Sequence, residues 1–424
     1  MNILFVAPSF PGRVSEYLIL PSLELCVSSA ILKQQHHQVK LLDMKIDRLT
    51  AETAMERLQQ DPFCPDLICI DDSPEVHCTT KQLLPRLRGL YGSRVRIALR
   101  GEIPSFCPEM VLSRNPEVDI LLRFDDDYAL PKVLAAPTDL ASIPNIAYRD
   151  GDGIHVNPTT RREYDLNDLP YPDRRLYDIE KYLHRDSETI VRSSRGCPGN
   201  CLFCIKTRYE QFGLFSVARF ADEIQQLQEM GFESFFFSDD TFAFSDQRLA
   251  EFADEVRRRG MKLRFTSNLR IRDINEYKIR TLKEIGAYRV FVGIETINAR
   301  SSTILNKHLE LEQIREKLNI LHKYGMEFHA SFILGAPNDT EEDLEATIAF
   351  VRQVKPTIVT FNLIKAYPGL PIYEEPEAYG MILTDPYWFE KDEWSRKCIT
   401  GTKNLPPEAL EKWSRRMLFE FISG

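Results

Sequence analysis

The chain has 424 residues, 43% hydrophobic and 28% charged, which suits a soluble globular protein of two or three domains. Its 54 basic and 63 acidic residues leave a formal charge of −9, which argues against a large nucleic-acid footprint. Met1–Pro8 lacks the basic flank of an export signal, and no apolar run reaches the roughly 18 residues of a membrane span, so a cytoplasmic protein is expected.

From the N-terminus, Ile3–Val6 reads as a buried strand. Ser22–Gln35 follows as a helix with Leu23, Val27, Ala30 and Ile31 on one face. Val39–Leu42, Asp66–Ile70 and Val95–Leu99 are further strands, separated by helices over Thr50–Gln60 and Gln82–Leu90. This alternation predicts an α/β fold, a doubly wound parallel sheet over residues 1–135. Residues 136–186 carry closely packed turn signals, among them Asp150-Gly151-Asp152-Gly153 and Pro170-Tyr171-Pro172. They read as a linker with a small hairpin around Ile146 and Ile154.

A second alternation fills residues 187–371, with strands near 189–194, 233–238, 262–267, 288–294, 326–333 and 357–363. One intervening helix presents Val217, Phe220, Ile224 and Leu227. Another presents Leu344, Ile348, Val351 and Val354, entered through Asp339 and Glu342 at capping-box spacing. Six strand–helix units predict a partial (β/α)6 TIM-type barrel, short of the usual eight. Residues 372–424 form a C-terminal tail with one helix, Pro407–Phe421. The aromatics Trp388, Phe389 and Trp394 dock that tail or close over a substrate.

The chemistry concentrates in Arg195-Gly196-Cys197-Pro198-Gly199-Asn200-Cys201-Leu202-Phe203-Cys204. In a reducing compartment, clustered cysteines favour metal over disulfides. Three thiolates on so short a loop can ligate three irons of a cubane and leave the fourth open. A structural zinc site needs a fourth Cys or His nearby, and none lies between His184 and His308 beyond these three. The loop follows the first barrel strand, on the face where α/β barrels place their chemistry.

The pattern CxxxCxΦC, with Phe203 as the aromatic, resembles the signature of radical S-adenosylmethionine enzymes. The resemblance implies a [4Fe–4S] cluster on Cys197, Cys201 and Cys204, with S-adenosylmethionine chelated to the open iron. It also implies reductive cleavage to a 5′-deoxyadenosyl radical, and an electron donor such as flavodoxin or ferredoxin. Phe235–Phe242 resembles the segment that approaches the methionyl amino group, which nominates Asp239 and Asp240; helix capping is their bland alternative. Gly293-Ile294-Glu295 is similar to the position whose side chain binds ribose, so Glu295 is a candidate. Arg270 is a candidate partner for the methionyl carboxylate. Leu334, in Ile333–Pro337, matches a strand whose backbone contacts adenine. Tyr367 follows the sixth strand as it does in relatives. A lone histidine on the fifth strand, His329, reads as core.

The N-terminal domain resembles the cobalamin-binding domain that precedes many such barrels, through Pro21–Leu25, Gln38–Asp43 and Asp165–Pro172. It departs from the DxHxxG pattern, with Lys45 and Arg48 where His and Gly would stand, so no axial imidazole can come from there. Arg100 stands where paired glycines would let backbone approach a corrin, and Phe124-Asp125-Asp126-Asp127 replaces a Gly-Glu-Gly-Glu stretch. Two readings follow. One is a cobalamin-dependent C-methyltransferase acting on a small molecule or peptide. The other is a dehydratase, rearrangement or cyclisation enzyme whose N-terminal domain has lost cobalamin. A tRNA-methylthiolating relative would need a second cysteine cluster, which Cys26, Cys64, Cys69, Cys78 and Cys107 do not form in sequence.

Overall fold

The computed structural model describes residues 1–10, 19–124, 126–186, 188–391 and 398–422; Asp125 and Trp394 lie outside them. The chain divides into two compact units. Unit 1 is Met1–Asp186 with Tyr209–Gln211 and Tyr387–Asp392, and unit 2 is the remainder.

Unit 1 is built on β1 (Asn2–Ala7), β2 (Gln38–Asp43), β3 (Leu67–Asp71), β4 (Arg96–Arg100) and β5 (Ile120–Leu122), followed by β6 (Ile146–Asp150) and β7 (Gly153–Val156). The order is β2-β1-β3-β4-β5-β6-β7, with the first five strands parallel and the last two joined antiparallel. The hairpin expected in the linker is thus part of this sheet. Its inner residues Ile146 and Tyr148 bury themselves against Ile120 and Leu122, which gives the segment a reason to pair. Ser22 and Thr50 cap the first two helices, Leu23–Gln34 and Ala51–Gln60. The helix His77–Tyr91 begins five residues earlier than its apolar periodicity suggests.

Unit 2 carries β8 (Glu188–Val191), the short antiparallel pair β9 (Ser194–Arg195) and β10 (Gly213–Leu214), and then β11 (Ser234–Phe237), β12 (Phe265–Arg270), β13 (Ala287–Glu295), β14 (Glu327–Leu334) and β15 (Ile358–Leu363). The main sheet is parallel, in the order β15-β14-β13-β12-β11-β8. β8 and β15 do not pair, so the six strands form an open sheet rather than a closed barrel. A last pair, β16 (Met381–Leu383) with β17 (Thr400–Thr402), precedes the helix Pro407–Ile422.

Two expectations shift. β12 starts at Phe265, three residues beyond its expected start, because Phe265 stacks on Phe237 with ring centroids 4.0 Å apart. Phe220, Phe242 and Phe252 complete that aromatic core behind β11 and β12. The capping box of the helix Glu341–Val354 is Thr340 with Asp343, not Asp339 with Glu342, since Thr340 holds the extended cap conformation. Asp339 is instead buried, accepting from Ser301 Oγ at 2.6 Å and from the Ala336 amide at 3.1 Å.

Candidate active site in the second unit

Every segment nominated in unit 2 leaves the sheet at the C-terminal end of a strand, the edge on which parallel α/β folds assemble function. The cysteine loop follows β8 and β9. Gly196 takes φ +65°, a left-handed turn that a side chain would strain. The Gly199 amide donates to Cys197 Sγ at 3.3 Å, and the Cys204 amide to the Cys201 carbonyl at 3.2 Å. From across the site, the Leu202 amide bonds the Leu305 carbonyl, and Asn306 Nδ2 donates to the Asn200 carbonyl at 2.7 Å.

The three cysteines open onto a cavity of about 380 Å³ that Phe203, Asp240, Arg270, Glu295 and Lys307 also line. A neighbouring compartment of about 610 Å³ shares Phe203 and Glu295 and adds Ile333, Ile364 and Tyr367. Of the nominated residues, Asp239 and Leu334 line neither. The Asp239 carboxylate is fully buried and accepts from Ser193 N, Ser193 Oγ and Ser194 Oγ. It latches the start of the cysteine loop to β11, and only its neighbour Asp240 reaches the cavity. Leu334 packs its side chain among Leu344, Ile348 and Leu410.

Arg270 is already forked onto Asp273, through Nε at 2.6 Å and Nη2 at 3.1 Å. Sequence reasoning missed Lys307. Its ammonium is nearly buried, donates to the Gly293 carbonyl at 3.1 Å and lies 3.5 Å from Glu295 Oε1. Only a Lys two residues after a buried Leu305 marks it in the sequence, which is too common a pattern to single out. Glu295 sits at φ +70°, where the β13–β14 register shifts, and this bulge aims its carboxylate into the cavity. Burial raises its pKa, while Lys307 opposes the shift. His329, expected in the core, also lines the cavity, with Nε2 3.0 Å from Thr360 Oγ1.

Burial raises the pKa of Cys197 and Cys201 and pushes Cys204 up to about 11. Arg270 favours the thiolate at Cys197, and Lys307, Arg272 and Arg270 favour it at Cys201, as an anionic cluster requires. Among the described residues, no three His, Cys, Asp or Glu side chains converge on a point as ligands of a single ion.

Unit 1 has the strand order 2-1-3-4-5 of a doubly wound fold, whose ligands bind beyond the carboxyl ends of the strands at the switch point between β1 and β3. Arg100 ends β4. Its guanidinium is buried against the helix Leu23–Gln34, donating to Ser28 Oγ at 2.7 Å. The next residue, Gly101, has φ +121°, and a Cβ there would lie 2.2 Å from the Asp72 carbonyl oxygen.

Three cysteines on one loop, lining a cavity with Arg270 and Lys307 at the strand ends of a parallel sheet, form a donor set suited to an iron–sulfur cluster. Residues 191–351 match the radical SAM superfamily. An uncharacterized methyltransferase of Pyrococcus horikoshii is 25% identical over 395 residues, 91% of this chain and 85% of that protein. An anaerobic magnesium-protoporphyrin IX monomethyl ester cyclase of Cereibacter sphaeroides is 22% identical over 88% of this chain and 63% of its own length. In fold, the chain resembles the radical S-adenosylmethionine methyltransferase TsrM of Kitasatospora setae, solved with cobalamin and a [4Fe–4S] cluster bound. The TM-score is 0.78 at 15% identity, covering 98% of this chain and 90% of that one. Residues 191–351 are thus a radical SAM domain, in a chain whose fold as a whole resembles that of a radical S-adenosylmethionine methyltransferase.

Proposed function

We propose that this enzyme is a cobalamin-dependent C-methyltransferase acting on a small molecule or peptide. The observation that carries the reading is the strand order of unit 1, with its switch point between β1 and β3 and the Arg100 guanidinium turned onto Ser28 of the helix Leu23–Gln34. The named methyltransferase relative supports it.

Cys197, Cys201 and Cys204 hold the cluster, and Asp240 and Lys307 take the methionyl ammonium and carboxylate. Glu295 meets the ribose hydroxyls, and Phe203 and Tyr367 flank the adenosine. When bound, the cluster supplies a low-potential electron at an open iron and the corrinoid supplies a methyl carrier. The chain's own contribution is orientation and exclusion of water, since half-buried thiols and a buried Glu295–Lys307 pair leave few solvated groups around the reacting carbon.

The test is protein produced with hydroxocobalamin, reconstituted with iron and sulfide without oxygen, and given S-adenosylmethionine and a reductant. Retained corrin absorbance, with both S-adenosylhomocysteine and 5′-deoxyadenosine formed, is expected. No retained corrin with 5′-deoxyadenosine alone would transfer the assignment to a radical cyclisation or dehydration, the reading that the cyclase relative favours.

A further inference from the structure

Strands β13 and β14 alternate between buried and half-buried residues, the period-two pattern of strands with one face on the core. Phe328 and Ala330 are buried, while their neighbours His329 and Ser331 line the cavity onto which the three cysteines open. On β15, Thr360 lines the same cavity, and Asn362 lines the larger compartment beside it. These four side chains pair in two rungs. His329 Nε2 lies 3.0 Å from Thr360 Oγ1, and Asn362 Nδ2 donates to Ser331 Oγ at 3.0 Å.

The rungs are not needed to join the strands. A backbone ladder without a register shift already runs from His329 opposite Ile358 to Leu334 opposite Leu363. The rungs are also only half used. His329 Nδ1 has no hydrogen-bond partner among the described residues, yet it is not sealed in the interior. Burial lowers the His329 pKa and Arg289 adds to the effect, so the imidazole is neutral near neutrality and the rungs carry no charge. Phe291 packs beside the ring, with centroids 4.9 Å apart, and Phe236 lies 5.6 Å from Phe291. An uncharged polar rail thus runs along an aromatic wall. It lies deeper than the residues given to the cofactor. Glu295 pairs with Phe332, three residues beyond His329, which is about 10 Å at roughly 3.3 Å per residue.

We infer that this rail orients the substrate, a molecule whose flat apolar body rests on Phe291 and whose hydroxyl or N–H group bonds His329 Nδ1. The inference rests on the placement of S-adenosylmethionine proposed above, and it narrows the substrate to planar molecules that are uncharged where they meet the rail. Thr360 accepts from Nε2–H and so leaves the lone pair on Nδ1. Ser331 and Asn362 continue the rail toward the second compartment.

Nuclear magnetic resonance of the full chain tests this, with nitrogen-15 histidine, the oxidised cluster and saturating S-adenosylmethionine. The probes are phenol and toluene, which differ by a hydroxyl in place of a methyl. His329→Gln identifies the His329 resonances by their loss, and Thr360→Val, which keeps the volume, identifies them by a shift at Nε2 should the first variant fail to fold. An Nδ1 without a proton is expected, with a saturable shift on adding phenol and none on adding toluene. Equal shifts with both probes, no shift with phenol, or a proton on Nδ1 overturns the inference, as does a phenol shift that S-adenosylmethionine abolishes. Dialysis of the same samples measures S-adenosylmethionine itself. If it fails to bind while the phenol-specific shift persists, the cofactor placement is wrong and the His329 contact stands on its own.

Discussion

Replacing Gly293 by alanine tests the cavity wall at its tightest point. Gly293 does not need a left-handed backbone, so the substitution acts through space alone. An added Cβ would stand 2.3 Å from Glu295 Oε1 and 3.5 Å from Lys307 Nζ. The carboxylate must therefore leave its place, and it is not free to swing into water because its side chain is only 12% exposed and that of Lys307 only 10%. Removing one partner of a buried ion pair costs about 3–5 kcal/mol. The displaced carboxylate also forfeits its contact with the ligand, and a hydrogen bond to a charged group is worth about 1.5–3 kcal/mol, roughly 2 kcal/mol here. Since about 1.4 kcal/mol is a factor of ten, S-adenosylmethionine affinity should fall about thirtyfold if the pair contacts the ligand. Anaerobic equilibrium dialysis with labelled S-adenosylmethionine measures this on reconstituted protein, with iron content as the control for an intact cluster. An affinity within twofold of wild type, at equal iron content, would refute the role given to Glu295 and Lys307.

Alanine at Cys197, Cys201 or Cys204 should each remove most of the visible iron–sulfur absorbance and all formation of 5′-deoxyadenosine, read by spectrophotometry and chromatography. Asp339, whose pKa burial raises to about 7, holds its proton more tightly folded than unfolded. Its contribution is complete below the unfolded value near 3.8 and is lost as pH rises through about 7, a span worth up to about 4 kcal/mol. Asp339→Asn should therefore gain stability relative to wild type between pH 5 and pH 8 in urea titrations, and parallel curves would contradict the sign. Gly101→Ala, which combines φ +121° with a backbone clash, should lower stability by on the order of 3 kcal/mol or more, seen as an early calorimetric transition.

Much of the architecture was readable from apolar runs, because strands such as Ile3–Val6 and Leu67–Ile70 are buried on both faces and leave a near-continuous signal. The start of β12 was not, since a stacking partner on another strand, Phe237, decided it. The cysteine loop was legible as spacing. The rest of the site depended on direction, which residue identity does not carry. Asp239 and Asp240 are adjacent and alike, yet one is latched to Ser193 and Ser194 while the other lines the cavity. Arg100 ends β4, yet only the structure shows its guanidinium turned onto Ser28. Lys307 is a single residue in ordinary surroundings, and only burial reveals it.

In the six-stranded sheet of unit 2 the spatial order of strands repeats their order along the chain, from β8 to β15. Each strand leaving the ribosome therefore finds its neighbour already made, and growth can proceed from one side without a waiting gap. The sheet of unit 1, where β1 must be flanked by β2 and then β3, has no such one-directional path. The thiol-bearing loop is thus attached to the oldest strand of its sheet, and the residues that enclose it arrive later in synthesis.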